Sequence, residues 1–175
     1  MDKLGHRHSH CHSQRLPFRV GIGYDIHRVE AGLRCVLGGI EIPDAPVGCV
    51  AHSDGDVVAH ALADAILGAC ALPDIGHFFP PNDPACENID SMKIVARAVE
   101  EVKKLGYAVG NADIAIIAER PKIGKHVPAM RERLSQVLGV LANCVGVKAT
   151  TNEKLGDLGA GKGIAVFANV LLFAK

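Results

Sequence analysis

Residues 163–173 leave few architectures open, because Asn169 is the only polar side chain in that run. The run falls well short of the roughly 20 residues that span a bilayer as a helix. It reads instead as a strand with both faces buried, since a strand without apolar–polar alternation has no face to give to water. Helices of the same chain can cover one face. Contact between subunits is one way to cover the other.

Upstream, strand and helix signals alternate. Residues 18–29 are rich in β-branched side chains and predict a first strand, and residues 34–42, turning at Gly38 and Gly39, predict a short hairpin-like continuation. Pro43 and Pro46 mark a loop. Ser53, with Asp56 three residues on, resembles a capping box ahead of the apolar-periodic Val58, Leu62, Ala65 and Ala69; this predicts a helix that ends before Pro73. Residues 74–84 hold three prolines and two phenylalanines and read as an irregular binding loop. A second helix, capped by Asp90 or Ser91, follows Val95, Ala98, Val99, Val102 and Leu105 to Gly106, and residues 113–119 form a strand broken by Pro121. A third helix passes through Met130, Leu134, Val137 and Leu138 to Gly139, and residues 145–151 form the last strand but one. Short connections between such elements predict a single α/β (α+β) domain, one sheet layered against helices on one face.

Composition narrows the function. In a chain of 175 residues, 49% are hydrophobic and Trp is absent, so Val, Ile, Leu and Ala must pack the core. Lys plus Arg and Asp plus Glu stand at 19 each, which removes the basic footprint of a nucleic-acid binder. No apolar run is long enough for a membrane span, so the chain reads as soluble. Cys11, Cys35, Cys49, Cys70, Cys86 and Cys144 include no C-x-x-C pair and suit reduced thiols in a cytosol-like compartment. Residues 1–16, with His6, His8, His10 and His12 among polar neighbours, read as a disordered leader or tag, which leaves 17–175 as the folded domain.

Three constellations carry chemistry. Asp25 and His27 lie two apart on the first strand, so both side chains leave the same face while Ile26 leaves the other. They form a metal half-site or else a surface polar pair. His52, Asp56, His60 and Asp64 recur at intervals of four, drifting about 40° per step around a helix, and place only metal-binding residue types on one stripe. A plain solvated face usually carries Lys and Glu instead. Asp25, His27 and one helix histidine, with His60 the better choice, would give three N/O ligands and an open position, as in a catalytic zinc site. Asp56 is a candidate acceptor for the second N–H of a ligand histidine. Residues 148–153, at a strand end before Gly156, Gly159, Gly161 and Gly163, combine hydroxyls, a carboxylate and backbone amides; they suit phosphate oxygens and Mg²⁺, or form a polar turn.

In their order, Gly21-x-Gly-Tyr-Asp-Ile-His27, Ala51-His-Ser-Asp-Gly-Asp56, Leu72-Pro-Asp-Ile-Gly76, Pro121-Lys122 and Lys148-Ala-Thr-Thr-Asn-Glu-Lys-Leu-Gly156 resemble the 2-C-methyl-D-erythritol 2,4-cyclodiphosphate synthase family from about Phe18 to the C-terminus. The resemblance implies a mixed sheet, a homotrimer with active sites between subunits, and a lyase of the non-mevalonate isoprenoid pathway. Its substrate is 4-diphosphocytidyl-2-C-methyl-D-erythritol 2-phosphate, whose 2-phosphate attacks the β-phosphorus and expels CMP.

By the same resemblance Asp25, His27 and His60 hold one zinc per subunit, and Glu153 places Mg²⁺ or Mn²⁺. His52 and Thr151 are the transition-state stabilisers. Ser53, Asp74, Ile75, Gly76, Phe79 and Asp83 contact substrate on one side. Ala118, Pro121, Lys122, Ile123 and Gly124 form the cytidine pocket, together with Thr150. The compartment is a bacterial cytoplasm or a plastid stroma. Pro81, Asn82, Asp157, Ala160 and Lys162 depart from the family's pattern, around the substrate loop and the three-fold axis. The competing readings are a metal-dependent phosphohydrolase, in which metal-bound water attacks, and a non-catalytic trimer braced by metal.

Overall fold

The computed structural model describes residues 16–80 and 82–175. The His-rich segment up to residue 15 and Pro81 lie outside them.

Glycines at alternate positions of the first strand set the architecture. Strand β1 (Phe18–Ala31) turns Gly21, Gly23, Asp25 and His27 to one face. A Cβ on Gly21 would sit 1.9 Å from the carbonyl oxygen of Ala65, and one on Gly23 would sit 1.9 Å from that of Ala61. Both carbonyls belong to helix α1 (Val57–Ala69), so the helix backbone rests directly on the strand through its alanine edge. The G-x-G of β1 therefore serves close packing. This contact carries α1 down to where its one histidine meets the strand's aspartate. Helix α1 is buried almost all round, with Val58, Leu62 and Ile66 fully enclosed, each large side chain stabilising the fold by roughly 1.5–3 kcal/mol.

The remaining elements follow as a two-stranded hairpin of β2 (Val36–Leu37) and β3 (Ile40–Glu41), strand β4 (Val47–Cys49), helix α2 (Ile75–Phe78), helix α3 (Ser91–Lys104), strand β5 (Tyr107–Ile117), helix α4 (Val127–Leu138), strand β6 (Val145–Thr150), helix α5 (Gly156–Gly159) and strand β7 (Gly163–Ala174). Five strands form one sheet in the order β4-β1-β7-β5-β6. Only β5 and β6 run parallel, which makes the sheet mixed. Helices α1, α3 and α4 cover one face, so the predicted single layered domain is the one observed. No helix among the described residues is long and apolar enough to cross a membrane, and no disulfide joins their cysteines.

In the single chain the helices bury one face of strand β7, with Val166, Ala168, Val170 and Leu172, while on the other face Ala165 is buried and Phe167 and Phe173 are exposed. The exposed side continues across β1 through Phe18, Val20, Ile22, Tyr24 and Ile26, with Tyr24 and Phe167 in ring contact at 4.8 Å. Ser53 does not cap α1; Asp56 does, accepting from Val58 N and Ala59 N. Asp90, not Ser91, caps α3, and Leu105 is the exposed C-cap residue of that helix rather than part of its apolar face. Residues 74–84 are not wholly irregular, because Asp74 caps the short helix α2 and Pro84–Cys86 make a 3₁₀ turn. Strand β4 and helix α5 are too short to leave a periodic signal.

Candidate metal and phosphate site

The strand pair and the helix histidine converge. Asp25, His27 and His60 each offer a ligand atom, and these atoms all lie within 4.8 Å of one another. Asp25 Oδ2 lies 3.1 Å from His27 Nδ1 and 3.2 Å from His60 Nδ1. His27 Nδ1 is buried and has no hydrogen-bond partner of acceptable angle, despite its short distance to the carboxylate. A buried nitrogen beside a carboxylate oxygen, with a second imidazole nitrogen close by, is a donor set that could hold a divalent cation. Burial pushes the Asp25 carboxyl upward, but the imidazoles of His27 and His60 outweigh it and hold the group well below the usual carboxylate range.

His60 is the best anchored of the three. Its Nε2 lies 3.0 Å from Ser91 Oγ and 3.2 Å from Ser53 Oγ, and Ser91 Oγ in turn donates to Asp54 Oδ1 at 2.6 Å. Asp54 and Ser91 escape a reading of the sequence because 37 residues separate them. The signals in hand, an acid inside the Ala51–Asp56 motif and a serine at a helix start, do not point to each other.

The four-residue stripe divides. Only His60 and Asp64 are helical; His52 precedes α1 and is exposed. Asp56 does not support a ligand histidine. Its fully buried carboxylate accepts from Gly38 N, Gly39 N, Val58 N and Ala59 N, which pins the β2–β3 hairpin to the start of α1. Asp64 accepts from Ile75 N at 2.9 Å and so ties α1 to α2. Burial raises its pKa, against the pull of that bond.

A cavity of 430 Å³ opens over the cluster, lined among others by His27, His52, Ser53, His60, Ile75 and Phe79. Asp83 and His52 border a neighbouring hollow of 320 Å³ together with Asn82. Asp74 is exposed and caps α2, accepting from His77 N, and Gly76 lies two residues on within α2. A separate cavity of 340 Å³ gathers Ala118, Pro121, Lys122, Ile123 and Gly124 against Thr150 and Thr151; the Arg120–Pro121 peptide there is cis. This second cavity shares no lining residue with the first.

Beyond Thr151 the chain makes a tight turn with Glu153 and Lys154 at φ of 50° and 61°, left-handed values that non-glycine residues adopt at a cost. Glu119 holds the turn, its Oε1 accepting from Asn152 N and Lys154 N. Thr151 Oγ1 donates to Glu153 Oε1 at 3.0 Å. Glu119 also goes unmarked in the sequence, where it reads as the end of a strand. At the departure positions, Asp157 and Lys162 pair with each other at 2.9 Å on the surface, and Ala160 is the C-cap residue of α5.

Comparison with known proteins agrees with this geometry. The profile described as the YgbB family matches residues 18–173. A 2-C-methyl-D-erythritol 2,4-cyclodiphosphate synthase from Cyanothece sp. is 50% identical over 154 residues, which cover 88% of this chain and 95% of that protein. The CDP complex of IspF from Plasmodium falciparum superposes with a TM-score of 0.79 at 38% identity, covering 90% of this chain and 97% of the other. The bifunctional IspDF of Campylobacter jejuni superposes with a TM-score of 0.86 at 38% identity over 90% of this chain, which spans 42% of that longer protein.

Proposed function

The chain belongs to the YgbB family, and from that premise we propose that its two separate cavities are the halves of one active site, joined between neighbouring subunits of a homotrimer. The reaction is that of a cyclising phosphorus–oxygen lyase in the non-mevalonate isoprenoid pathway. An oxygen of the 2-phosphate of 4-diphosphocytidyl-2-C-methyl-D-erythritol 2-phosphate forms a bond to the β-phosphorus. The bond from that phosphorus to the bridging oxygen breaks, and the bridging oxygen leaves with CMP. The other product is 2-C-methyl-D-erythritol 2,4-cyclodiphosphate, and no water is consumed.

Phosphoryl transfer asks a protein for alignment and charge neutralisation more than for covalent chemistry. Asp25, His27 and His60 would hold one zinc, and Glu153 would hold Mg²⁺ or Mn²⁺; bound there, the ions supply positive charge to the diphosphate. His52 stands over the first cavity and would donate to the phosphoryl oxygens as charge builds, with Ser53 beside it. Thr151 would do the same from the second cavity. Ala118, Pro121 and Ile123 offer a slot for the pyrimidine, Gly124 and Thr150 line its edge, and Lys122 offsets phosphate charge. Asp74, Ile75, Gly76, Phe79 and Asp83 border the sugar side.

The trimer is supported by the exposed apolar face formed by Phe18, Val20, Ile22, Tyr24, Ile26 and Phe167, a patch of the kind that subunit contact covers. The bacterial source of the relative at 50% identity supports a bacterial cytoplasm, with a plastid stroma as the other compartment that suits the pathway. The observation that carries the reading is the meeting of the three ligand atoms within 4.8 Å. Incubation with the diphosphocytidyl substrate and both metals should release CMP and the cyclic diphosphate in equal amounts. Linear phosphate products would sink the cyclase reading in favour of a hydrolase.

A further inference from the structure

We propose that Ser91 is a positioning residue for the metal centre, which locks His60 in the tautomer whose Nδ1 lone pair faces Asp25 and His27. The inference rests on the reading of those three residues as metal ligands.

The argument is one of donors and acceptors. The Asp54 carboxylate can only accept. It takes the Ser91 hydroxyl proton at Oδ1, 2.6 Å away, and the Ser91 backbone N–H at Oδ2, 3.0 Å away. The single hydroxyl proton of Ser91 is thereby committed, and only lone pairs of Oγ remain for His60 Nε2 at 3.0 Å. Nε2 must therefore be the protonated nitrogen. Ser53 Oγ, 3.2 Å from the same nitrogen, accepts from Gly55 N and keeps a second lone pair for His60. Were its hydroxyl to donate to Nε2 instead, that nitrogen's lone pair would also face the Ser91 oxygen lone pairs at 3.0 Å, so the protonated Nε2 is the arrangement that satisfies both serines. In the neutral ring the other nitrogen, Nδ1, then carries a lone pair, and it lies 3.2 Å from an oxygen of Asp25. Two lone pairs at that distance repel unless a proton or a metal ion lies between them, and a bound metal ion would take that place in the neutral ring.

The placement is rigid. Ser91 is wholly buried in the first turn of α3, and the Asp90 cap on Met92 N fixes the register of that turn. Asp54 sits just ahead of α1 and also accepts from Asp56 N, so one carboxylate couples the starts of both helices to the orientation of His60. Helix α3 thus contributes to the metal centre through a hydroxyl that never touches metal or substrate. Outer-shell groups that orient a ligand histidine are worth about 10–100-fold in metal affinity.

The test measures Zn²⁺ and Co²⁺ affinity by chelator competition on the full chain, alongside thermal unfolding of the metal-free protein. Ser91→Ala should weaken both metals about 10–100-fold and shift the visible bands of bound Co²⁺, while Ser91→Thr, which keeps the hydroxyl, should bind as the parent does. Val95→Ala, a buried change one turn along the same helix, should lower the unfolding temperature and leave affinity in place. Parental affinity in Ser91→Ala, or an equal loss in Val95→Ala, overturns the proposal. Retention of metal by His60→Ala would overturn the metal-site reading and this inference with it, whereas loss in His60→Ala with full retention in Ser91→Ala overturns the inference alone.

Discussion

Two aspartates flank helix α1 and meet opposite fates. Asp25 reaches the helix from β1 and faces two imidazoles, and their pull overcomes burial and holds its carboxyl below the usual range. Asp56 caps the helix and faces only backbone. Burial dominates there and pushes it up to about 6, against the N–H groups of Gly39, Gly38 and Ala59. The fold completes the Asp56 carboxylate with four amide donors. It gives Asp25 one backbone donor, Ile26 N on Oδ1 at 2.8 Å, and leaves Oδ2 to two imidazoles, groups that can themselves bind a cation. Burial alone does not mark a functional carboxylate; the chemical type of its partners does.

The largest effect should come from Asp25. In Asp25→Asn the anionic ligand is gone while the side chain keeps its shape. Zinc affinity should fall by more than the roughly 100-fold that loss of an outer-shell partner brings, and turnover should disappear with it. The folded state should survive. Elemental analysis after dialysis checks the first point, and circular dichroism the second. Full zinc content in the variant would erase the contrast between the two aspartates.

Asp56→Asn should show the converse, keeping zinc and losing stability. Three of its four hydrogen bonds end on Oδ1 and the shortest, from Gly39 N, ends on Oδ2. An amide must set its NH₂ against one of those donor groups, and each buried donor left unsatisfied costs roughly 1–3 kcal/mol. Denaturant unfolding of the chelator-treated protein measures this loss. A variant as stable as the parent would show that the hairpin does not depend on the cap.

The acid range sharpens the comparison, because the two groups carry opposite linkage. Asp25 is depressed below its ordinary 3.8, so its stabilisation is present above that pH and is lost as pH falls through the folded value. Asp56 is raised to about 6. The unfolded chain releases that proton above 3.8 while the fold keeps it, so stability from this group falls between pH 3.8 and about 6 and is level beyond. The stability gap between the parent and Asp56→Asn should accordingly narrow as pH rises through that window. The gap to Asp25→Asn should narrow as pH drops below 3.8. A gap to Asp56→Asn that widens with rising pH would mean that the amide donors keep Asp56 ionised.

These contrasts also explain what the sequence could tell. The two-residue period of β1 places Asp25 with His27, and the third candidate ligand comes from a histidine inside a helix; both are local regularities that need no tertiary knowledge. The stripe of four failed at its start because Asp56 ends the loop as a cap, so positions 52 and 56 lie outside the helical period. Nothing local announces that Gly21 and Gly23 seat α1, or that Asp54 and Glu119 hold polar groups over 30 residues away. The C-terminal strand was read as covered on both sides, and the single chain covers one. On the proposed trimer, subunit contact would cover the other face.

A third carboxylate gives the smallest and most discriminating test. Glu119 resembles Asp56 in accepting only backbone N–H groups, from Asn152 and Lys154, but it does so at the edge of the second cavity rather than in the core. If partner type defines a scaffold carboxylate, Glu119→Gln should keep its function through the remaining carbonyl oxygen and lose only the charge-assisted part of two hydrogen bonds, about 1 kcal/mol. The left-handed Glu153–Lys154 turn would loosen slightly, raising KM several-fold and the magnesium requirement with it, while zinc content stays unchanged. Steady-state kinetics across a magnesium titration reads this split. A collapse of kcat with unchanged KM would instead place Glu119 among the groups that act on the reacting phosphates, and partner type would then fail as a guide at this site.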